Sequence, residues 1–561
     1  MALVDISGID YMVLNRLGAQ FTKRISQLLV PTEFQKNAAF ETFIWFVETI
    51  EKLTMDDLIE MIKNFPATYV AWWKGLYEES PTHLLIETAM IIWIFWLLFI
   101  RKTADPKSKV KDASLTDKEI KWLVKTWEPE PLVPELTREQ IVRNSHLREV
   151  TGVTGKNNRY LKIKGIKKKV LNMSSYDYLG LSSFQSVKSG ITDALNKYGC
   201  GSCGPRGFYG TIDVHLEFEE AFAKYMGVQE AIAYSDSASS ITSTISAFAK
   251  KGDLIIMDEG CYEAIRTGTK LSRATVRTFK HNDTNDLRTV LEGIAAEDKK
   301  KRRDASQQRR FILTEGVFRN TGEICPLPSI MALKEKFCYR MILDDSHSFG
   351  TLGATGKGVT EYYGIPISDV EIISIAMDNV LGSVGGVCIG SREVVDHQRL
   401  MGPGYCFSAS ACPFLSVAAV TALKELEQNP QLVKALAKNS KALNAAVSKI
   451  KGLRIKGKSE QTDSPIIHLC IDPDLSHSKE KCKSIVIDIA KRCVDMGTGV
   501  ATCKFSLTDI TSLAPSIRLT SNAFLTKEEI DETVANLKAA TAVALKAARG
   551  GDDSSTPFKF F

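Results

Sequence analysis

The chain has 561 residues, 44% hydrophobic and 25% charged, the balance of a globular protein with two or three sizeable cores rather than a disordered one. A net charge of +6 spread over that length, with no basic block interleaved with aromatics, gives no reason to expect nucleic acid as a partner. Twelve cysteines are scattered; Cys200 and Cys203 form a CGSC pair beside Gly and Pro, but no second pair or nearby His completes a metal set. The pair reads as a tight turn, the thiols as reduced in a cytosol-facing body, and no metal site is expected.

In chain order, residues 1–83 form an N-terminal extension. Its segments FETFIWFVETIEKL (40–53) and DDLIEMIKNF (56–65) carry apolar residues at helical spacing, suited to a membrane surface or a partner helix. LLIETAMIIWIFWLLFI (84–100) is apolar except for Glu87, Thr88 and the indole N–H groups. As a helix it spans about 25 Å, close to a hydrocarbon core. Arg101, Lys102, Lys107, Lys109 and Lys111 flank it, which predicts a single transmembrane helix with its C-terminal side in the cytosol. Residues 101–170 read as a charged linker and an extended Pro-rich arm.

From 171 the pattern changes. EAIAYS (230–235), DLIIMDEG (253–260), RRFILTEGVF (309–318), RMILDDSHS (340–348), EIISIAM (371–377) and GGVCIG (385–390) alternate with amphipathic helical stretches. Short β-branched runs separated by helices predict an α/β domain, 171–405, with a mostly parallel sheet covered on both faces. A smaller α+β domain follows at 406–548, with strands in SPIIHLCI and SIRLTSN, and a tail at 549–561. Ligands of open α/β sheets sit at the carboxyl ends of the strands, which directs attention to Asp258, Glu315, Asp344, Asp345, His347 and the 374–382 stretch.

DDSHSFGTLGATGKGV (344–359) resembles the Asp-x-Ala-His segment of fold-type I pyridoxal-phosphate (PLP) enzymes, specifically the α-oxoamine synthases, which condense an amino acid with an acyl-CoA and release CO2. The stretches EGVF (315–318), CPLP (325–328) and FSAS (407–410) are similar to the same family in the same order, so the resemblance covers about residues 120–545. YGCGSCGPRGFYGTIDVHLEFE (198–219), WEPEPLVP (127–134), GVTEYYGI (358–365) and the preceding apolar run resemble, more narrowly, the lysine-lacking subunits of the serine palmitoyltransferase group.

That resemblance implies a fold-type I PLP-transferase-like domain plus the smaller α+β domain, preceded by one transmembrane helix. It implies a heterodimer with a lysine-bearing catalytic subunit that holds the PLP, at the endoplasmic reticulum membrane with the body facing the cytosol. The reaction implied is condensation of L-serine with palmitoyl-CoA to 3-oxosphinganine, CoA and CO2, the first step of sphingolipid synthesis. Small activating subunits and ORM-family regulators are further partners it implies.

The residues can be set against that chemistry. A PLP site needs a Schiff-base lysine, a carboxylate at the pyridine nitrogen, a group over the ring, and a phosphate cup of N–H and O–H groups. Asn379 stands at the lysine position and Ala376 where a phosphate-binding Thr is usual; Asp378 lies beside them. YSDSAS (234–239) replaces the phosphate loop, and its Asp236 brings charge that a dianion would meet at a cost of about 4 kcal/mol at 4 Å for unit charges. Tyr262 takes the place of the ring-stacking His. Asp344, His347 and Arg518 match the pyridine-nitrogen carboxylate, the residue near the phenolic oxygen and the carboxylate-clamping Arg. The alternative for these three is an ion-pair network that came with the fold, so weak non-covalent PLP binding stays open.

GSCGPRGFYGT (201–211) is shaped for close backbone approach. It reads either as a surface turn or, by the resemblance, as a loop whose Cys203, Gly204, Arg206, Gly207, Tyr209 and Thr211 serve the partner's active site. Two other functions remain in view: a scaffold without an active-site role, and an autonomous synthase using Lys270 or Lys280.

Overall fold

The computed structural model describes residues 116–129, 135, 148–457, 463–475, 478–503 and 514–550. The chain divides into two units, Met1–Leu132 and Val133–Phe561. In the first, the described element is the helix Asp117–Thr126, started by a capping box in which Thr116 and Glu119 satisfy each other's backbone N–H groups. The apolar run 84–100 and the amphipathic segments before it lie outside the described residues. Among the described residues no helix is long and apolar enough to cross a membrane.

The second unit opens with strands in the arm expected to be extended: β1 (Val150–Thr154), β2 (Tyr160–Ile163) and β3 (Val170–Asn172), an antiparallel meander. The main sheet then uses β4 (Glu230–Tyr234), β5 (Leu254–Asp258), β6 (Thr275–Phe279), β7 (Arg310–Glu315), β8 (Arg340–Asp344), β9 (Ile372–Ala376) and β10 (Gly386–Gly390), in the order β4-β10-β9-β8-β7-β5-β6. Every run read as a strand between 230 and 390 is one. The sheet is mostly parallel, as expected, and made mixed by β10, which runs antiparallel to both β9 and β4. β6 escaped the sequence reading: it lies at the sheet edge, and TVRTF leaves Thr275, Val276 and Arg277 exposed, without the continuous apolar run of its neighbours. β5, β7 and β9 are buried along their whole length, which is why they read as unbroken β-branched runs.

A second sheet and core follow, from β11 (Leu453–Ile455), β12 (Ile466–Ile471), β13 (Thr498–Gly499), β14 (Ala501–Thr502) and β15 (Ser516–Thr520). Four of these form the sheet β11-β12-β15-β14, whose register sets His468 opposite Arg518. β13 pairs in parallel with β3, so the arm and the C-terminal segment complete one sheet.

The parallel register of the main sheet sets the strand ends side by side, with Glu315 opposite Asp344 and Asp344 opposite Ser374. Buried carboxylates need donors or cations. At the end of β5, Asp258 accepts from the Gly260 and Asn282 N–H groups at 2.7 and 2.9 Å. His281 joins it at 2.8 Å through Nδ1 and reaches Glu323 at 3.0 Å through Nε2, while its ring packs edge-on against Phe318 at 4.4 Å. The imidazolium thereby pins the turn Phe318–Glu323 to the β5 end.

Burial opposes charge on His281, but the hydrogen bonds to Asp258 and Glu323 outweigh it and raise the imidazole from 6.5 to about 9. The folded value lies above the unfolded one. The contribution is therefore complete below about pH 6.5 and is lost as pH rises through about 9. Thermal denaturation should show a lower Tm at pH 9.5 than at pH 6.5. His281→Gln should destabilise by about 1–3 kcal/mol at the lower pH and flatten the difference.

Candidate functional site

The site is built at the carboxyl ends of β7, β8 and β9. Asp344 closes β8, and both its oxygens are engaged: Oδ1 accepts from the Ser346 N–H at 3.0 Å and Oδ2 from the Tyr262 hydroxyl at 3.0 Å. Glu315, closing β7, accepts from the backbone N–H groups of Tyr262 at 2.8 Å and Arg319 at 2.9 Å. Burial raises both carboxyls, that of Glu315 to about 8 with Asp344 adding to the push. Asp345, buried one residue on, is raised to about 7 by burial and takes the Ser348 hydroxyl.

Asn379 lies in the turn after β9 and is buried. Its Nδ2 donates to the Ser346 carbonyl at 2.7 Å and faces His347 Nδ1 at 3.3 Å. Tyr178 hydroxyl meets the same Nδ1 at 3.0 Å. An amide N–H2 can only donate, so His347 Nδ1 is an acceptor and the ring is neutral. Burial first, then Arg319 and Arg518, hold its pKa well below the usual value.

Asp236 is the N-cap of the helix Ser237–Phe248. Its carboxylate accepts from Ala238 N at 3.0 Å and Ser239 N at 2.9 Å, and from the Ser239 hydroxyl. These are the donors an anion at that helix start would use. Burial raises the Asp378 carboxyl, which interacts with Ser237 and feels the Asp236 charge. Two acidic groups thus face the place where a phosphate cup is expected.

Arg518 crosses from β15. Its guanidinium lies 4.3 Å from the Tyr176 ring centroid, donates to the Tyr176 hydroxyl, and reaches the Ser174 carbonyl at 2.7 Å. Arg319, on the tight turn after β7, faces the rings of Tyr176 and Tyr262 at 5.8 and 5.7 Å. These four side chains and His468 border a cavity of about 50 Å³, room for a water or two. Sequence reading placed Asp344, His347, Tyr262, Asn379 and Arg518; of these Tyr262 and Arg518 line the cavity, Asp344 is bonded to Tyr262, and His347 and Asn379 face each other. Arg319 and Tyr176 were missed. Arg319 was open to the strand-end argument, standing four residues past Glu315.

A resident PLP does not suit this donor set. No amine stands at position 379, Asp344 is already satisfied by Tyr262, and the helix N–H groups are capped by a carboxylate.

The loop 201–211 is anchored from beneath. Arg206 turns inward and forms a bidentate pair with buried Glu219 at 2.8 and 2.9 Å, with its Nε on Thr211 at 3.0 Å. A Cβ on Gly210 would overlap the Gly204 carbonyl, which accepts from Ser410 N at 2.9 Å. Of the loop residues expected to face a partner, Arg206 is thus spent internally and Gly204 is half-buried, whereas Cys203, Gly207, Tyr209 and Thr211 are exposed, as is Phe208 beside them. Cys200 and Cys203 are free thiols, and no group of His, Cys, Asp and Glu among the described residues could hold a metal ion.

Breaking the Arg206–Glu219 pair leaves a buried charge without its partner. Arg206→Met should therefore destabilise by about 3–5 kcal/mol, read as a fall in Tm, and the double change with Glu219→Leu should recover part of the loss.

Residues 168–537 match the aminotransferase class I and II family model. A relative in rice, long chain base biosynthesis protein 1b, is 38% identical over 82% of this chain and 92% of its own length. Serine palmitoyltransferase 1 of Dictyostelium discoideum is 36% identical over 84% of this chain and 96% of its own. Among solved structures, a serine palmitoyltransferase variant from S. paucimobilis with a bound PLP–myriocin aldimine superposes with a TM-score of 0.64 at 23% identity, covering 72% of this chain and 96% of that one, which is a likeness of fold. The chain belongs to the aminotransferase class I and II family, among the proteins named long chain base biosynthesis protein 1 and serine palmitoyltransferase 1.

Proposed function

We propose that this chain is the supporting subunit of a serine palmitoyltransferase, paired with a lysine-bearing catalytic subunit that carries the PLP. The observation that carries the reading is Asn379: its amide stands at the lysine position and is committed to the Ser346 carbonyl at 2.7 Å. The names and coverage of its relatives support a role in making sphingolipid long-chain bases. The complex joins L-serine to palmitoyl-CoA, releasing CoA and CO2.

In this division of work the chain's own residues hold geometry rather than move protons. Glu219 and Arg206 fix the base of the loop. Phe208 and Tyr209 stand exposed on it, with Leu400 and Phe407 exposed elsewhere on the body, apolar surface of a kind that a partner covers. The loop faces the partner's site, where it shapes the approach of the amino acid and the acyl thioester. The apolar run 84–100 anchors the chain in the endoplasmic reticulum membrane, where palmitoyl-CoA and the product partition, and offers a surface for small activating subunits and ORM-family regulators.

The test is serine-dependent condensation with palmitoyl-CoA by the purified chain, by a lysine-bearing partner and by the co-purified pair. The pair alone should turn over. Cys203 holds a left-handed backbone (φ 58°) on the exposed loop. Cys203→Trp and Tyr209→Ala should lower kcat of the assembled pair by roughly ten- to a hundredfold while assembly persists, since displacing reacting groups by about 1 Å can cost the larger figure. Unchanged turnover in both would assign the loop to assembly, and turnover by the isolated chain would refute the supporting role.

A further inference from the structure

The groups that match a PLP site are not merely depleted; each has acquired an internal partner. Asn379 donates where an amine would react, and Tyr262 hydrogen-bonds the Asp344 oxygen left free by Ser346. Asp236 fills the start of the helix Ser237–Phe248 with a carboxylate, satisfying the orphan N–H groups and complementing the helix dipole. Arg319 stands beside Tyr262, the residue that bonds Asp344. Its guanidinium is within cation–π reach of Tyr176 and Tyr262, and the turn that carries it is fixed by Phe318 N to Glu323 O at 2.8 Å and Gly322 N to Phe318 O at 2.7 Å. His468 Nε2 lies 3.1 Å from the Arg319 carbonyl, holding the turn from the second sheet.

We propose that Arg319 and Asp236 are built-in replacements for the two charged ends of a pyridoxal-type cofactor: Arg319 supplies a cation at the ring of Tyr262, the partner of Asp344, and Asp236 supplies the anion on the helix N-terminus. The inference rests on the supporting-subunit reading above. It adds that the degenerate site is charge-balanced by the chain itself, so that this subunit folds without a cofactor and does not compete with its partner for one. The reach of the Arg319 charge supports its central place. Burial dominates at each neighbour, raising Asp344, Asp378, Tyr262 and Tyr178 and lowering His347; the Arg319 charge opposes burial at the first four and adds to it at His347. A cation with that set of neighbours lies amid the groups that elsewhere would face the cofactor ring.

The test uses the full-length chain, unsubstituted and as Asp236→Gly, Arg319→Ser and the double variant, titrated calorimetrically with PLP and separately with inorganic phosphate, with Tm recorded at saturation. Gly at an N-cap costs only a few tenths of a kcal/mol relative to Asp, and each single variant is read independently should the double variant not fold. The unsubstituted chain should take up neither ligand. Asp236→Gly should bind phosphate. Arg319→Ser and the double variant should bind PLP at least about tenfold more tightly than the unsubstituted chain, with a rise in Tm, a gain of about 1.4 kcal/mol or more. Asp236→Asn, which removes the charge but still caps the helix start, should gain less than Asp236→Gly. Folded variants that bind no better than the unsubstituted chain overturn the inference. So does unsubstituted chain that already binds PLP as tightly. If borohydride traps that PLP on a lysine the supporting-subunit reading falls too, whereas non-covalent binding overturns the inference alone.

Discussion

Four carboxylates, Asp258, Glu315, Asp344 and Asp345, are buried at one end of a sheet whose parallel register sets Glu315 beside Asp344. Burying so many carboxyl groups is tolerable only if donors and cations are brought to them or protonation removes the charge, as burial favours for Glu315 and Asp345, and the architecture around the site is arranged accordingly. His281 serves Asp258 and Glu323; backbone N–H groups of Tyr262 and Arg319 serve Glu315; Ser346 and Tyr262 serve Asp344. The turn after β7 is pinned by the first of these and carries Arg319 to the others. In a cofactor enzyme part of this charge would be answered by the bound group; here the side chains answer it.

The site therefore has a different physical character from one that has only lost its lysine. A lone Lys-to-Asn change would leave an anion-seeking helix start and a carboxylate awaiting a cation. Asp236 and Tyr262 remove both demands, and His347 is held neutral between Tyr178 and Asn379. Hydrogen bonds of this kind, each polarising the next, stiffen the strand ends they join. The bidentate Arg206–Glu219 pair does the same for residues 201–211 from the other side.

Much of this was legible in the sequence. Asn379, Ala376, Asp236 and Asp344 stand at fixed offsets from strand ends, and the strand ends themselves were visible because β5, β7 and β9 are buried on both faces. The mixed sheet was less so, because a reversed β10 has the same composition as a parallel strand. β6 was hidden by its exposed edge, and β13 is two residues long, paired with a strand more than three hundred residues away. Arg319 was missed although it stands close to a strand end, because its position over Tyr176 and Tyr262 depends on a tight turn held by His281 and by the second sheet. Nothing in the local sequence states that Arg206, placed among glycines, would point inward to Glu219 rather than outward.

The account's central claim is that the site is filled by its own side chains and is not a cofactor site missing one group. The most direct measurement is the visible absorption spectrum of purified Asn379→Lys chain, full length and alone, after incubation with PLP and removal of the excess. The account predicts no Schiff-base absorbance, because Asp236, Arg319 and the Tyr262–Asp344 pair still occupy the positions the cofactor would need. A stoichiometric band restored by that single substitution would contradict it.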